Sequence, residues 1–255
     1  MFNRFHAASQ SVALALMTIA STAHAASDSC TTVSKPTVPT VIELYTSEGC
    51  NSCPPADQWL SQTVAKTRGV KDNNVIPLAF HVDYWDYIGW KDAFAQPAFS
   101  QRQTTLARNG GASGVYTPQV FVNGKDDRSW TRGGGSASAA PASVKFNLTS
   151  QWQSDGLAVT FSGKLADANP TIRLRYAVTE NGLVTAVKAG ENRGETLHHD
   201  AVVRAYGTLT ADASGGFTAT VRVPREIRRS SSLLHVIAED ARGNPVAAAT
   251  LACVL

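Results

Sequence analysis

Two cysteines three residues apart, Cys50 and Cys53, carry the sharpest chemistry in this sequence. In Cys50-Asn51-Ser52-Cys53-Pro54 the pair stands between the apolar run Val41-Ile42-Glu43-Leu44-Tyr45 and a stretch from Pro54 to Arg68 that reads as a helix. Proline suits a first helical turn, Ala56, Leu60 and Val64 share one face, and Gly69 can stop the helix. At a helix N-terminus the unpaired backbone N–H groups and the helix dipole stabilise a thiolate. Cys50 is therefore expected to be the more exposed, attacking thiol, and Cys53 to resolve the mixed disulfide. Two other readings stand beside this one. The pair could be a disulfide that only staples the turn, or two ligands for a soft metal such as Cu(I). A zinc site is less well served, because no second C-x-x-C or H-x-x-x-H follows. Glu43 is the only charged residue of its run. If it faces the helix, burial would raise its pKa and let it relay the resolving proton; otherwise neighbouring polar groups simply hold it.

The compartment bears on these thiols. Arg4, the apolar stretch Ser11–Ala20 and Ala23-His24-Ala25 together read as a secretory signal peptide cut after Ala25, which implies a periplasmic or secreted protein. The stretch is shorter than the roughly 20 apolar residues of a membrane span, and no later segment reaches that length. Cys30 follows Ser27-Asp28-Ser29, which is not a lipoprotein signal. All four cysteines (30, 50, 53 and 253) lie beyond the cut, in an oxidising compartment where disulfides persist. Of the three possible pairings, 50 with 53 leaves Cys30 with Cys253, a structural bridge near both chain ends. Met1 and Met17 are the only methionines and both precede the cut, which weakens the copper reading. Loss of Arg4 lowers the net charge from +3 to +2, too close to neutral for a nucleic-acid partner. The basic cluster Arg225, Arg228 and Arg229 reads as a solvated loop.

About 230 residues follow the cut, enough for one large or two modest domains. After Pro54–Arg68 come a strand from Val75 to Val82, a helix from Pro97 to Arg108, a strand Gln119–Val122 and the hairpin signal Asn123-Gly124. Residues 131–141 are rich in Gly, Ser and Ala and read as a linker. Beyond 142 come about seven short alternating strands separated by turns such as Asp155-Gly156 and Asn181-Gly182, a β-sandwich pattern.

Tyr116-Thr117-Pro118 stands directly before the Gln119–Val122 strand. Here the sequence resembles the thioredoxin superfamily, in which a cis-proline precedes the strand facing the dithiol and the residue before it offers its backbone to a bound peptide. The resemblance implies those roles for Thr117 and Pro118. It is more specific over Glu43–Asp57, His81–Asp92 and Gly114–Gln119 with Val122-Asn123-Gly124. These three motifs resemble an exported bacterial family catalogued as domain of unknown function 1223, placed within the thioredoxin-like superfamily. The resemblance implies a fold and carries no established reaction. The expected architecture is an α/β thioredoxin-like domain followed by an all-β sandwich-like domain. In order these are a signal peptide (1–25), a lead-in segment (26–39), the thioredoxin-like domain (40–130), the linker (131–141) and the sandwich (142–255).

Ligands bind outside the carboxyl ends of strands in open α/β sheets, so His81, Asp83, Tyr84 and Trp85 should emerge beside Cys50 as a substrate wall. The rival reading is a hydrophobic cluster that packs the aromatic insert down. His81 alone, or Asp83 with it, could join a metal site with the thiolates, although a lone histidine at a strand end is more often structural. In His198-His199-Asp200 the two histidines of a regular strand point to opposite faces and cannot share one ion. The leading functional expectation is a thiol–disulfide oxidoreductase acting on a cysteine-containing protein or redox partner, with no cofactor. The alternatives are a soft-metal carrier and a non-catalytic interaction protein with a structural disulfide.

Overall fold

The structure, a computed structural model, describes Met1 and residues 29–68, 74–132 and 140–252. The expected signal peptide, Gly69, Cys253 and most of the expected linker lie outside the described residues. The chain runs β1 (Ser29–Val33), β2 (Thr40–Thr46), α1 (Pro54–Thr67), β3 (Val75–His81), α2 (Pro97–Asn109), β4 (Gln119–Val122) and β5 (Lys125–Asp126). It continues with β6 (Phe146–Trp152), β7 (Ala158–Leu165), β8 (Arg173–Glu180), β9 (Leu183–Ala186), β10 (Thr196–His199), β11 (Val202–Leu209), β12 (Gly216–Arg222), β13 (Ser232–Glu239) and β14 (Pro245–Leu251).

The local elements form where their residues favour them. All seven residues of β2 are buried, as an apolar central strand requires. Pro54 and Pro55 occupy the first turn of α1, where their missing N–H groups are not needed, and Ala56, Leu60 and Val64 form its buried face. Asn123 and Gly124 both take positive φ, +48° and +79°, the turn that joins β4 to β5.

The fold class differs from the expectation. With two α-helices among its described elements, the protein is mostly β, and it is not an α/β thioredoxin-like domain with a separate sandwich behind it. One eight-stranded sheet, in the order β14-β13-β8-β11-β3-β2-β4-β5, takes strands from both sides of residues 131–141. The join is at β3. Its outer edge pairs in parallel with β11 through Val202 and Ala79, and β11 then pairs antiparallel with β8. Hydrogen-bonding capacity left at an apolar strand edge draws in another strand, and here that strand comes from more than a hundred residues downstream. Sequence periodicity identifies strands but not the sheet each one joins.

A second sheet, β1-β6-β7-β12, packs against the β8, β13 and β14 part of the large one around Leu148, Phe161, Leu174, Val178 and Val236. The expected exposed lead-in thus supplies a strand, β1, in register with β6 from Ser29↔Gln151 to Val33↔Asn147. Alternation along β2 divides its neighbours. Ile42 and Leu44 pack with Ala56, Leu60 and Val64 of α1, whereas Val41 and Tyr45 pack with Phe99 and Leu106 of α2. Arg225 and Arg228 are exposed, as a solvated loop requires, and the Arg228 guanidinium also donates to Glu180 Oε1 at 3.0 Å and to the Asn181 carbonyl at 2.6 Å.

Candidate functional site

Cys50 and Cys53 form a disulfide across the turn between β2 and α1. The turn is tight. Cys50 N–H donates to the Ser47 carbonyl and Cys53 N–H to the Cys50 carbonyl, while the Cys53 carbonyl accepts from the N–H groups of Ala56 and Asp57. Cys53 is the N-cap residue of α1 and its side chain makes no capping bond. The sulfur thus sits at the positive end of the helix dipole. Cys50 is 1% exposed and Cys53 is fully buried, so the expectation of a more exposed Cys50 does not hold. Other parts of the chain cover it. A Cβ on Gly49 would come within 3.1 Å of Trp85 Cβ, and Asn192, 142 residues away, bonds to the Cys50 carbonyl.

The expected wall divides into three. Trp85 does lie at the dithiol turn, and its indole N–H donates to Thr117 Oγ1 at 2.8 Å. The Thr117–Pro118 bond is cis. Asp83 and Tyr84 instead dock on α2, where Ser100 Oγ donates to Asp83 and the Tyr84 hydroxyl donates to Gln103 Oε1. His81 is fully buried beneath them.

Glu43 does not face α1. It shares its side of the sheet with Tyr45, and its carboxylate accepts from Arg102 Nε and Nη2 at 3.1 and 2.8 Å, from Arg175 Nη1 at 2.6 Å and from the Tyr45 hydroxyl at 2.8 Å. Arg175 also pairs with Glu239. The condition for a Glu43 proton relay is therefore not met.

The ionisable groups behind the dithiol are others, which sequence reasoning passed over or misjudged. Glu48, Asp57, His81, Asp92 and His199 are all buried. His81 Nδ1 lies 2.7 Å from Asp92 Oδ2, which also accepts the Glu48 N–H at 2.9 Å. Trp90 Nε1 donates to Glu48 Oε2 at 2.8 Å. His199 Nε2 is 3.4 Å from Glu48 Oε1 without the alignment of a hydrogen bond. Asp57, one turn beyond Cys53, accepts from Thr46 Oγ1 at 3.0 Å. Glu48 Oε1, His81 Nε2 and both ring nitrogens of His199 have no hydrogen-bond partner among the described residues. Burial pushes the Asp57 carboxyl up, against the lowering effect of His199 and His81. Burial alone would lower His81, but Asp92 foremost, then Asp57 and Glu48, holds it above the ordinary histidine range. Burial would raise Asp92, but His81 and the Glu48 and Phe94 N–H groups hold it below the carboxylate range.

His199 is buried and His198 exposed, so the two do point apart. Among the described residues no three His, Cys, Asp or Glu side chains form a group that could hold a metal ion. No helix among them is long and apolar enough to cross a membrane. Two signals in the sequence point to this cluster: Asp57 at one helical turn from Cys53, and His199 on the inward face of its strand. The Cys30–Cys253 bridge falls on Cys253, outside the described residues.

Two solved structures resemble this fold. A crystal structure of protein AGR_C_4864 from Agrobacterium tumefaciens is 28% identical, covering 86% of this chain and 96% of that one, with a TM-score of 0.55. HBP35 of Porphyromonas gingivalis is 17% identical, covering 86% of this chain and 76% of its own, with a TM-score of 0.58, a likeness of fold alone. No curated protein matches the sequence. The model of one family, described as Protein of unknown function (DUF1223), matches residues 41–238, and this chain belongs to that family.

Proposed function

We propose that this is an exported thiol–disulfide exchange protein acting on cysteine-containing proteins through Cys50 and Cys53. The observation that carries the reading is the disulfide between the end of a buried strand and the N-cap of α1. That position favours the leaving thiolate of Cys53. A client thiolate attacks Cys50 Sγ, the Cys50–Cys53 bond breaks, and Cys53 leaves as a thiolate and takes a proton. A second client thiol then attacks the client sulfur of the mixed disulfide, expelling Cys50. The client gains a disulfide and the protein ends as a dithiol; the reverse sequence reduces a client. Asp57 takes the proton role first expected of Glu43. It lies on the α1 face of the sheet, and burial raises its affinity for a proton. Thr117, fixed by Trp85, offers its backbone to the client segment.

Single-cysteine variants test the exchange. Reduced Cys53→Ser should form a lasting mixed disulfide with a disulfide-bearing peptide, and Cys50→Ser should not. Equal trapping by both, or by neither, contradicts the assignment of roles. Export and the Cys30–Cys253 bridge are parts of the same reading. Peptide mapping of oxidised mature protein should find Cys30 linked to Cys253, whereas a link from either to Cys50 or Cys53 contradicts the bridge.

A further inference from the structure

The dithiol of the first half is closed by the second half. Residues 187–195 connect β9 to β10, which pair with each other as a two-stranded sheet, and Val187 at the base of the connection is buried. From 188 to 196 the chain is exposed or half-buried except at Asn192, which is 5% exposed. The Asn192 amide donates to the carbonyls of Glu48 at 2.8 Å and Cys50 at 3.0 Å. Next to it, the exposed Glu191 accepts the Asn51 N–H at 3.1 Å. Gly190, at φ +75°, lies so near Ile88 and Trp90 that a Cβ there would approach both at 3.2 Å. These contacts hold the segment against the Glu48–Asn51 side of the dithiol turn. A groove of about 510 Å³ between α1 and β10 opens nearby, but neither cysteine is among its lining residues.

Thiol–disulfide exchange needs a sulfur nucleophile to reach one sulfur of the bond, and neither cysteine, at 1% and 0% exposure, presents an open approach. We infer that residues 188–195 are a gate over the dithiol and that Asn192 is its latch, so Asn192 is a positioning residue for exchange. The gate is held by polar bonds at its tip more than by apolar packing. Segments with few buried apolar contacts open at low free energy without global unfolding. Clients react from the open form.

The biological purpose of the gate rests on the proposed exchange activity, but its test does not. Oxidised full-length mature protein is mixed with excess dithiothreitol, and loss of the Cys50–Cys53 disulfide is followed by mass-tag alkylation of quenched samples. One reagent thiolate attacks Cys50 Sγ and Cys53 leaves. The reagent's second thiol then closes its own ring and releases Cys50, so the reagent ends as a cyclic disulfide. Removing the two Asn192 bonds in Asn192→Ala should speed reduction about tenfold. Glu191→Ala should speed it less, and Arg193→Ala, on the same segment, should not change it. Amide exchange separates gate opening from loss of stability: in Asn192→Ala, protection should fall over 188–199 and stay unchanged over β8. An unchanged reduction rate, or a rise matched by equal loss of β8 protection, overturns the gate. If the gate behaves as expected while single-cysteine variants trap no peptide, the exchange function fails and the gate stands.

Discussion

Two regions bury ionisable side chains around the strand β2, one at its middle and one beyond its C-terminal end, and they do it differently. On the α2 side, Glu43 is held by Arg102 and Arg175, and Arg175 also holds Glu239. Arg102 meets the Glu43 carboxylate through two nitrogens, and Arg175 bridges Glu43 and Glu239 with one nitrogen to each. On the dithiol side, Glu48, Asp57 and Asp92 face two histidines, and four ring and carboxylate atoms lack hydrogen-bond partners among the described residues. A buried charge costs several kcal/mol unless it is paired. The first arrangement meets most of that cost with arginines, which stay charged at any physiological pH, although Arg175 Nε and Glu239 Oε1 lack hydrogen-bond partners among the described residues and burial pushes the Glu239 carboxyl up to about 7. The second has no arginine and sets carboxylates against histidines alone. Both clusters join the two halves of the chain, the α2-side one through Arg175 and the dithiol-side one through His199, and the dithiol-side cluster is the one that sets a carboxyl, Asp57, one helical turn from Cys53.

The largest expected effect is on the arginine side. Glu43→Gln leaves Arg102 and Arg175 without their shared carboxylate and should cost roughly 3–5 kcal/mol in urea unfolding. Exchange at the dithiol by the folded variant should be unchanged. Slower resolution with stability intact would return Glu43 to the mechanism and erase the contrast between the regions.

Asp92→Asn should cost up to roughly 3 kcal/mol, and the loss should depend on pH. His81 is raised in the folded state, so its share of the stability is full below the unfolded histidine pKa of about 6.5 and is lost as pH rises through the folded value. Asp92 is lowered, so its share is full above the unfolded value of about 3.9 and is lost as pH falls through the folded one. The gap between native and variant unfolding free energies should thus be widest between about pH 4 and 6.5. A gap independent of pH would mean that the pair is as fixed as the arginine cluster.

The smallest change in stability should have the opposite sign. Asp57 is raised by burial, so its ionised form is disfavoured in the folded state and its contribution falls as pH rises through the folded value. Asp57→Asn should raise the Tm at neutral pH, and the gain should vanish below about pH 3.9. The same variant should slow resolution of the mixed disulfide by about 10²-fold. A lowered Tm, or an unchanged resolution rate, would contradict this role for Asp57.

What the sequence disclosed was local. The run of β2, the prolines and apolar face of α1, and the Asn123-Gly124 turn depend on neighbours within a few residues, and each forms as expected. Three things escaped because they depend on distant partners. β10 is four residues long with two histidines, and it exists because β9 offers it an edge. The direction of Glu43 was open until Arg175, 132 residues away, proved to be its partner. The burial of Cys50 depends on Asn192, in a segment whose own composition signals only a turn between Gly190 and Gly194. The fold class was misread for the same reason: each strand was visible, but not the sharing of one sheet by both halves.

The central claim is that the Cys50–Cys53 disulfide is made to be exchanged, and its reduction potential tests that most directly. Full-length mature protein is equilibrated in glutathione or dithiothreitol buffers of graded potential, and the fraction of the 50–53 pair in disulfide form is read by alkylation and mass mapping. The account predicts a potential within the range of exchange proteins, about −270 to about −120 mV, whereas a value below about −300 mV would mark a structural staple and contradict it.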